Sequence, residues 1–239
     1  MENSTTGVLE QTNAKETSNL KFVHFKNLSH PNANNWDVSG SVSFYESDVT
    51  ANNLLIKDND AEDGLNIIRS KFNISDSIFK NIKSDALDVD FGDGSIDNSS
   101  FIEIGNDAID ISGTNLKLFK INISDIGDKA ISAGEKSKIK GDNIFINNAE
   151  IGVTSKDNSS VILSNVNLQN TKLGFTAFQK KSEYGPGVIE IVDGISTNVE
   201  LDNAIEIKSS LILNGKSIKG NVINVKKLLY GNKYGIKSK

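Results

Sequence analysis

Gly64-Leu65-Asn66-Ile67, Ala86-Leu87-Asp88-Val89 and Ala108-Ile109-Asp110-Ile111 are three copies of one pattern: small, apolar, polar, apolar. The pattern continues as Ala130-Ile131-Ser132-Ala133, Gly152-Val153-Thr154-Ser155 and Gly174-Phe175-Thr176-Ala177. Its small residue stands at 64, 86, 108, 130, 152 and 174, a step of 22 residues each time. An exact repeat of that length marks a stacked solenoid. Within each copy the apolar residues alternate with a polar one, the period of a strand. The columns 65/87/109/131/153/175 and 67/89/111/133 are therefore expected to face inward. The column between them, Asn66, Asp88, Asp110, Ser132, Thr154 and Thr176, is expected to face outward.

Working outward from these rungs, Ser41 to Ser47 aligns with Gly64 to Ser70 at an offset of 23. Phe72 and Ile74 recur as Ile96 and Leu118, then less regularly as Ile139 and Val161. Phe79, Phe101, Ile123 and Phe145 form one more apolar column, and Ile82, Ile104 and Ile126 another that ends at Asn148 and Asn170. Three short strands per repeat, joined by turns and with no convincing helical periodicity, make a coil. Residue i then lies over residue i+22, which requires parallel pairing at about 4.8 Å between coils. The expected fold is all-β: a right-handed parallel β-helix solenoid with 22-residue coils. Residues 1–19, polar and poor in apolar positions, read as a flexible lead, 20–225 as the β-helix and 226–239 as a basic tail. Pro31 to Asn35 reads as a loop, Trp36 as an aromatic lid on the open core, and Gln179 to Gly187 as a loop projecting from the coil.

Composition narrows the function. The net charge of −5 argues against nucleic acid as the main partner. Without cysteine there is no disulfide or thiolate metal site. No apolar run approaches membrane-spanning length, and no signal-peptide pattern opens the chain.

Chemistry concentrates on the acidic rungs. Asp63, Asp85 and Asp107 form one column; Asp88 and Asp110 form the outward column beside it, with Asp90 two residues beyond Asp88. Carboxylates stacked at the rung spacing repel by roughly 1 kcal/mol in water and several-fold more near a protein surface. Protonation, a Ca²⁺ ion held by Asp85, Asp88, Asp107 and Asp110, or a nearby cation would offset this. The plainer role for Asp63, Asp85 and Asp107 is to bond local backbone amides. Arg69 is the only arginine among 26 basic side chains. It suits an ion pair with Glu46, one rung earlier, or the carboxylate of a uronate. Lys129, in the column of Asp63, Asp85 and Asp107, is the candidate base for β-elimination, opposed by carboxylates that raise its pKa. Lys129 also belongs with Glu135, Lys156, Lys180, Lys181 and Tyr184 in a second polar cluster. The catalytic set is thus Lys129, Arg69, Asp88 and Asp110. His24 and His30 read as incidental. The small column reads either as a tight corner or as one border of a shallow groove.

On these rungs the chain resembles the right-handed parallel β-helix superfamily of pectate-lyase-like proteins, over roughly residues 40–225. Gly105-Asn106-Asp107-Ala108-Ile109-Asp110 resembles the Asn-Thr-Asp-Gly and Gly-Asp-Asp segments of polygalacturonases. Gly127-Asp128-Lys129, however, has Lys where the second Asp belongs, and Gly-His-Gly is absent. Ala61 to Ser70 and Gly127 to Glu135 resemble β-helix modules of large bacterial surface proteins. The resemblance implies an extracellular or cell-surface location and a role with polysaccharide. Two functions follow as expectations. One is a non-catalytic module binding polysaccharide or a cell-surface protein partner, with no nucleic acid and no membrane insertion. The other is a Ca²⁺-dependent lyase or related enzyme acting on acidic glycans.

Overall fold

The computed structural model describes residues 8–29, 39–220, 222–231, 233 and 234. His30, Pro31 to Asn35 and Trp36 lie outside them. The chain is a parallel β-helix with three faces. The first face holds strands Leu9–Thr12, Gly40–Tyr45, Asp63–Ile68, Asp85–Asp90 and Ile109–Ser112. It continues in the last part of Asn115–Gly134, Lys138–Lys156 and Ser160–Phe178, long strands that wrap corners without a break. Successive coils pair in parallel at the predicted register: Leu65 beside Leu87, Leu87 beside Ile109, Ile109 beside Ile131, Ile131 beside Val153, and Val153 beside Phe175. All six are buried, as are Ile67, Val89, Ile111 and Ala133. Phe79 and Phe101 stack one coil apart, their ring centroids 4.7 Å from each other.

The corners explain the abundance of Asn and Asp. Left-handed backbone is most tolerable for Gly, Asn and Asp, whose short polar side chains bond locally. One turn per coil puts Asn53, Asp76, Asn98, Asn143 and Asn165 at positive φ; another does so for Asp58, Asn81, Asp125, Asn148, Asn170 and Asn198. These side chains also link coils: Asn81 Nδ2 donates to Asp58, Asn98 Nδ2 to Asp76 and Asn148 Nδ2 to Asp125. Buried hydroxyls line a further corner, where the Thr114 N–H donates to Ser137 Oγ and the Ser137 N–H to Ser159 Oγ.

The small column is a packing feature. A Cβ on Gly64 would lie 2.8 Å from Ile82 Cδ1 and 2.9 Å from the Ala86 carbonyl, and Ala86, Ala108 and Ala130 are fully buried. It faces the core at a tight corner.

Several expectations need correction. Within 1–19, Leu9–Thr12 pairs with Gly40–Tyr45 and Ser18–Lys21 with Val49–Asn52, so the first coil begins at Leu9. Phe145 is not an inward residue; Ile123 pairs with Ile146, and Ile126 with Ala149. The cause is one extra residue at the preceding turn, where both Glu135 and Lys136 have positive φ. The gain is lost again before Ile151: Ile126 to Lys129 spans three residues, Ala149 to Ile151 two. The exact 22-residue step of the small column hides this local shift.

The C-terminal end is more ordered than a basic tail. Strands Ser210–Leu213 and Lys216–Lys219 pair antiparallel through Asn214-Gly215, both at positive φ. This hairpin folds back on the last coil, one way of blunting an exposed edge. Helix Val225–Leu229 follows, capped by Asn224, whose side chain accepts from the Lys227 N–H. The helix packs outside the solenoid, on the first face. Val225, Leu229 and Tyr234 form a second apolar cluster there with Ile151, Leu173, Phe178 and Ala204. No helix among the described residues is long and apolar enough to cross a membrane.

Candidate functional site

The outer surface of the first face carries the acidic rungs. One outward column reads Asp63, Asp85, Asp107, Lys129, Ile151, Leu173 from coil to coil. It changes from acidic to cationic to apolar, and the apolar members are those on which the helix lies. The neighbouring column Asn66, Asp88, Asp110, Ser132, Thr154 keeps its predicted register. Asp88 and Asp110 are partly exposed, whereas Ser132 and Thr154 are fully buried. The covered half of the expected outward strip thus begins at Ser132, and of its first half only Asp88 and Asp110 are open, since Asn66 is buried as well.

In the covered half, two buried lysines meet the aspartates. Lys129, 3% exposed, reaches Asp107 at 3.5 Å and also pairs with Asp128. Its own N–H donates to Asp107 Oδ1 at 2.9 Å. Lys156 donates to Ser132 Oγ at 2.8 Å and lies 3.4 Å from Asp110. It can cross the intervening rung because Gly134 lacks a side chain; a Cβ there would lie 2.8 Å from Lys156 Cε. Beside these pairs is a cavity of about 350 Å³, walled on its other side by Lys180, Leu229, Tyr230 and Tyr234. The Tyr230 ring lies 5.7 Å from the Lys129 ammonium and 5.1 Å from that of Lys180.

In the open half the partners are neutral. Asp85 Oδ1 accepts from Asn106 Nδ2 at 2.6 Å and from the Asp107 N–H at 2.8 Å. Asp88 accepts from Asn66 Nδ2 at 3.1 Å. Asp63 is buried, and its Oδ2 has no hydrogen-bond partner.

These surroundings divide the carboxyls. Burial, reinforced by Asp107, pushes Asp85 up to about 8. Burial, then Asp63 and Asp110, pushes Asp88 up to about 9. Burial raises Asp63 to about 6, and raises Asp107 to about 6 despite Lys129. Burial also works against ionised Asp110, but Lys156 and Lys129 outweigh it and hold this carboxyl below its usual range. For Lys129, burial favours the neutral amine, but Asp107 and Asp128 reverse that and drive its pKa far up. Lys156 is raised too, with Asp110 overcoming its burial.

The predicted residues are thus only partly brought together. Asp85, Asp88, Asp107, Asp110 and Lys129 share one surface. Arg69 lies on an exposed turn, donating to Tyr45 Oη at 2.9 Å, 3.7 Å from Glu46 and over the Phe91 ring. Its ion pair with Glu46 is present, and none of these partners is a ladder aspartate. Lys129 is held protonated, which opposes its use as a base. Among the described residues no three acidic or histidine side chains converge as a metal-holding group. Asp107 and Asp110 already engage the two lysines, so the four expected Ca²⁺ ligands do not form a ready set. The loop after Phe178 folds back along the face instead of projecting. Asp157 accepts from the Lys180 and Lys181 N–H groups, and Lys181 and Tyr184 both bond Glu135.

Asp128, Asn106, Tyr230 and Tyr234 escaped sequence reading. Asn106 and Asp128 were within reach, being 22 residues apart and each just before a ladder residue. Val225, Leu228 and Leu229 have the spacing of an amphipathic turn, but nothing local says which face they cover.

No protein-family model matches the chain, and no curated protein matches it. Weak likenesses exist among solved structures. The catalytic domain of a GH87 α-1,3-glucanase in complex with tetrasaccharides aligns at 14% identity and a TM-score of 0.40, over 81% of this chain and 49% of that one. The same kind of domain in complex with nigerose aligns at 11% identity and a TM-score of 0.33, over 86% and 58%. The chain thus spans about half the length of the first of these domains. Likenesses at this level carry no functional argument.

Proposed function

We propose that the chain is a β-helix module that binds an extended polysaccharide along its first face, as part of a secreted or cell-surface protein. One observation carries this reading. The partly open Asp88 and Asp110, on successive rungs beyond the buried Asn66, lead along the solenoid to the cavity that Asp110 lines and Tyr230 and Tyr234 wall. Polar groups repeated on rigid strands, ending against aromatic rings, suit a polyhydroxylated chain. Of the three lysines that line the cavity, Lys129 and Lys156 are already paired with aspartates, and Lys180 lies over the Tyr230 ring.

The test is affinity electrophoresis of the whole chain in gels containing neutral, acidic and amine-bearing polysaccharides. Retardation by at least one, lost in Tyr230→Ala and Asp110→Ala variants that still melt cooperatively, supports the module. Unchanged mobility in all of them removes it, and binding that survives both variants moves it to another face.

A second reading, an enzyme acting on glycans, is favoured by Asp88 and Asp110. They lie on adjacent rungs, one held protonated and the other ionised, which is the division of labour between a general acid and a carboxylate base or nucleophile. Lys129 has no place in it as a base. New reducing ends, or the ultraviolet absorbance of an unsaturated uronate, that appear with the wild type and vanish in Asp110→Asn would favour it over the module. Ca²⁺ at Asp85, Asp88, Asp107 and Asp110 belongs to this reading and would have to compete with Lys129 and Lys156.

A further inference from the structure

We propose that the second face of the solenoid carries a separate anion site, formed by Lys117, Lys138 and Lys140, and that its ligand is an acidic polysaccharide. The site lies on other strands than the first-face cavity and does not depend on it.

The second face holds strand Lys71–Ser75 and the opening parts of Asp93–Ile104, Asn115–Gly134 and Lys138–Lys156, paired in parallel from coil to coil. Leu116, Leu118 and Ile139 are buried in the core. Strand alternation therefore turns Asn115, Lys117 and Phe119 outward, and Lys138, Lys140 and Asp142 beside them on the next rung. Lys117 and Lys140 are direct neighbours, at a rung spacing of about 4.8 Å. Lys138 is two residues from Lys140 on the same side. All three lysines are exposed, and among the described residues none forms an ion pair. Like charges directly opposite each other on neighbouring strands destabilise a sheet. A bound anion relieves that repulsion.

The three lysines line a depression of about 250 Å³, together with Gly94 and Leu116. A second depression of about 220 Å³ shares Asp93, Gly94 and Lys117 with it and reaches Lys71. The two make a shallow trough across four successive coils, from Lys71 to Lys138. The acids close by are engaged by neutral donors. Asn115 Nδ2 donates to Asp93 at 3.3 Å, and Ser164 Oγ and Asn165 Nδ2 both donate to Asp142 at 2.7 Å. Asp97, one rung before Phe119, lines neither depression.

The class of partner follows from charge and shape. Three ammonium groups without carboxylate partners select an anion. The net charge of −5 opposes a densely charged polymer such as nucleic acid. A polymer with one carboxylate per sugar presents fewer charges, and three lysines on two rungs can meet them. Phe119, 42% exposed on the same side of its strand as Lys117, offers apolar surface to a sugar ring, with the Lys120 ammonium 5.2 Å from its centroid.

The test is affinity electrophoresis of the whole chain in gels containing polygalacturonate, at increasing salt. The wild type should be retarded, and less so as salt rises. In Lys117→Gln/Lys138→Gln/Lys140→Gln the apparent dissociation constant should rise about tenfold, while the Arg triple variant at the same positions should bind like the wild type. Lys57→Gln/Lys80→Gln/Lys83→Gln, which removes the same charge from lysines that are already ion-paired, should change little. Retardation by a neutral polysaccharide, which reports the first face, should be equal in the wild type and the Lys117/Lys138/Lys140 variant. No retardation of the wild type by polygalacturonate overturns the site, as does retardation undiminished in the Lys117/Lys138/Lys140 variant. An equal loss in the Lys57/Lys80/Lys83 control also overturns it, because net charge would then be the cause. Duplex DNA bound as tightly as polygalacturonate would overturn the polysaccharide assignment.

Discussion

The two halves of the first face are made from the same strand pattern, yet they treat charge in opposite ways. In the covered half, Lys129 and Lys156 neutralise Asp107, Asp110 and Asp128 beneath the loop and the C-terminal helix. In the open half, Asp85 and Asp88, with the buried Asp63 one rung before them, have no ion-pair partner among the described residues, and burial favours their protonated forms. A single step of the repeat separates the two conditions. A solenoid can therefore change the chemistry of a surface by one substitution per coil while the backbone register holds, because each rung contacts only its neighbours.

The largest effect should come from the core that both halves share. Ile109 is fully buried between Leu87 and Ile131. Ile109→Asp would place an unpaired charge in mid-stack and is expected to unfold the chain or split the solenoid. Circular dichroism melting checks this; a folded variant with the wild-type midpoint would contradict the register.

Next comes the paired half. Lys129→Met suits the apolar contacts of its column but leaves Asp107 and Asp128 facing each other, which should cost about 3–5 kcal/mol. Adding Asp107→Asn should recover part of the loss. Denaturant titration of the two variants measures it, and equal stabilities would mean that the ion pair is idle.

The open half should respond in the opposite sense. Asp85 and Asp88 have folded-state pKa values above their unfolded value, so the native state binds more protons than the unfolded one. Their contribution is present at low pH and is lost as pH rises from about 4 through 8 and 9. The melting temperature should fall across that window, and Asp85→Asn/Asp88→Asn should flatten the decline. Asp110 has the opposite dependence, since its lowered pKa stabilises above the usual carboxylate range and is lost in acid. Lys129 and Lys156 add stability that fades only above the unfolded lysine range. A melting temperature independent of pH between 4 and 9 would show that the open-half carboxyls are ionised like ordinary ones.

The smallest expected effect is that of Ca²⁺. Millimolar Ca²⁺ should raise the wild-type melting temperature slightly by mass action, and the rise should disappear in the open-half double variant. A melting curve indifferent to Ca²⁺, with no heat in calorimetry, removes the ion.

By itself the sequence determined the repeat, the inward columns and the strand pairing. A 22-residue step combined with a two-residue alternation admits only one stacking that buries Leu65, Leu87, Ile109 and Ile131 together. It also placed the acidic columns on one outer surface, and it paired Arg69 with Glu46. It did not reveal the compensated shift that turned Phe145 outward, because an insertion at Glu135-Lys136 and a deletion before Ile151 cancel over a whole coil. Nor did it reveal which outward residues stay exposed. Lys129 and Lys156 are buried beside Lys180, Leu229 and Tyr230 from far along the chain, and Ser132 lies under the Lys156 ammonium. Periodicity reports which way a side chain points from its own strand, and only the tertiary structure decides whether solvent, a lysine two coils away or a tyrosine lies beyond it.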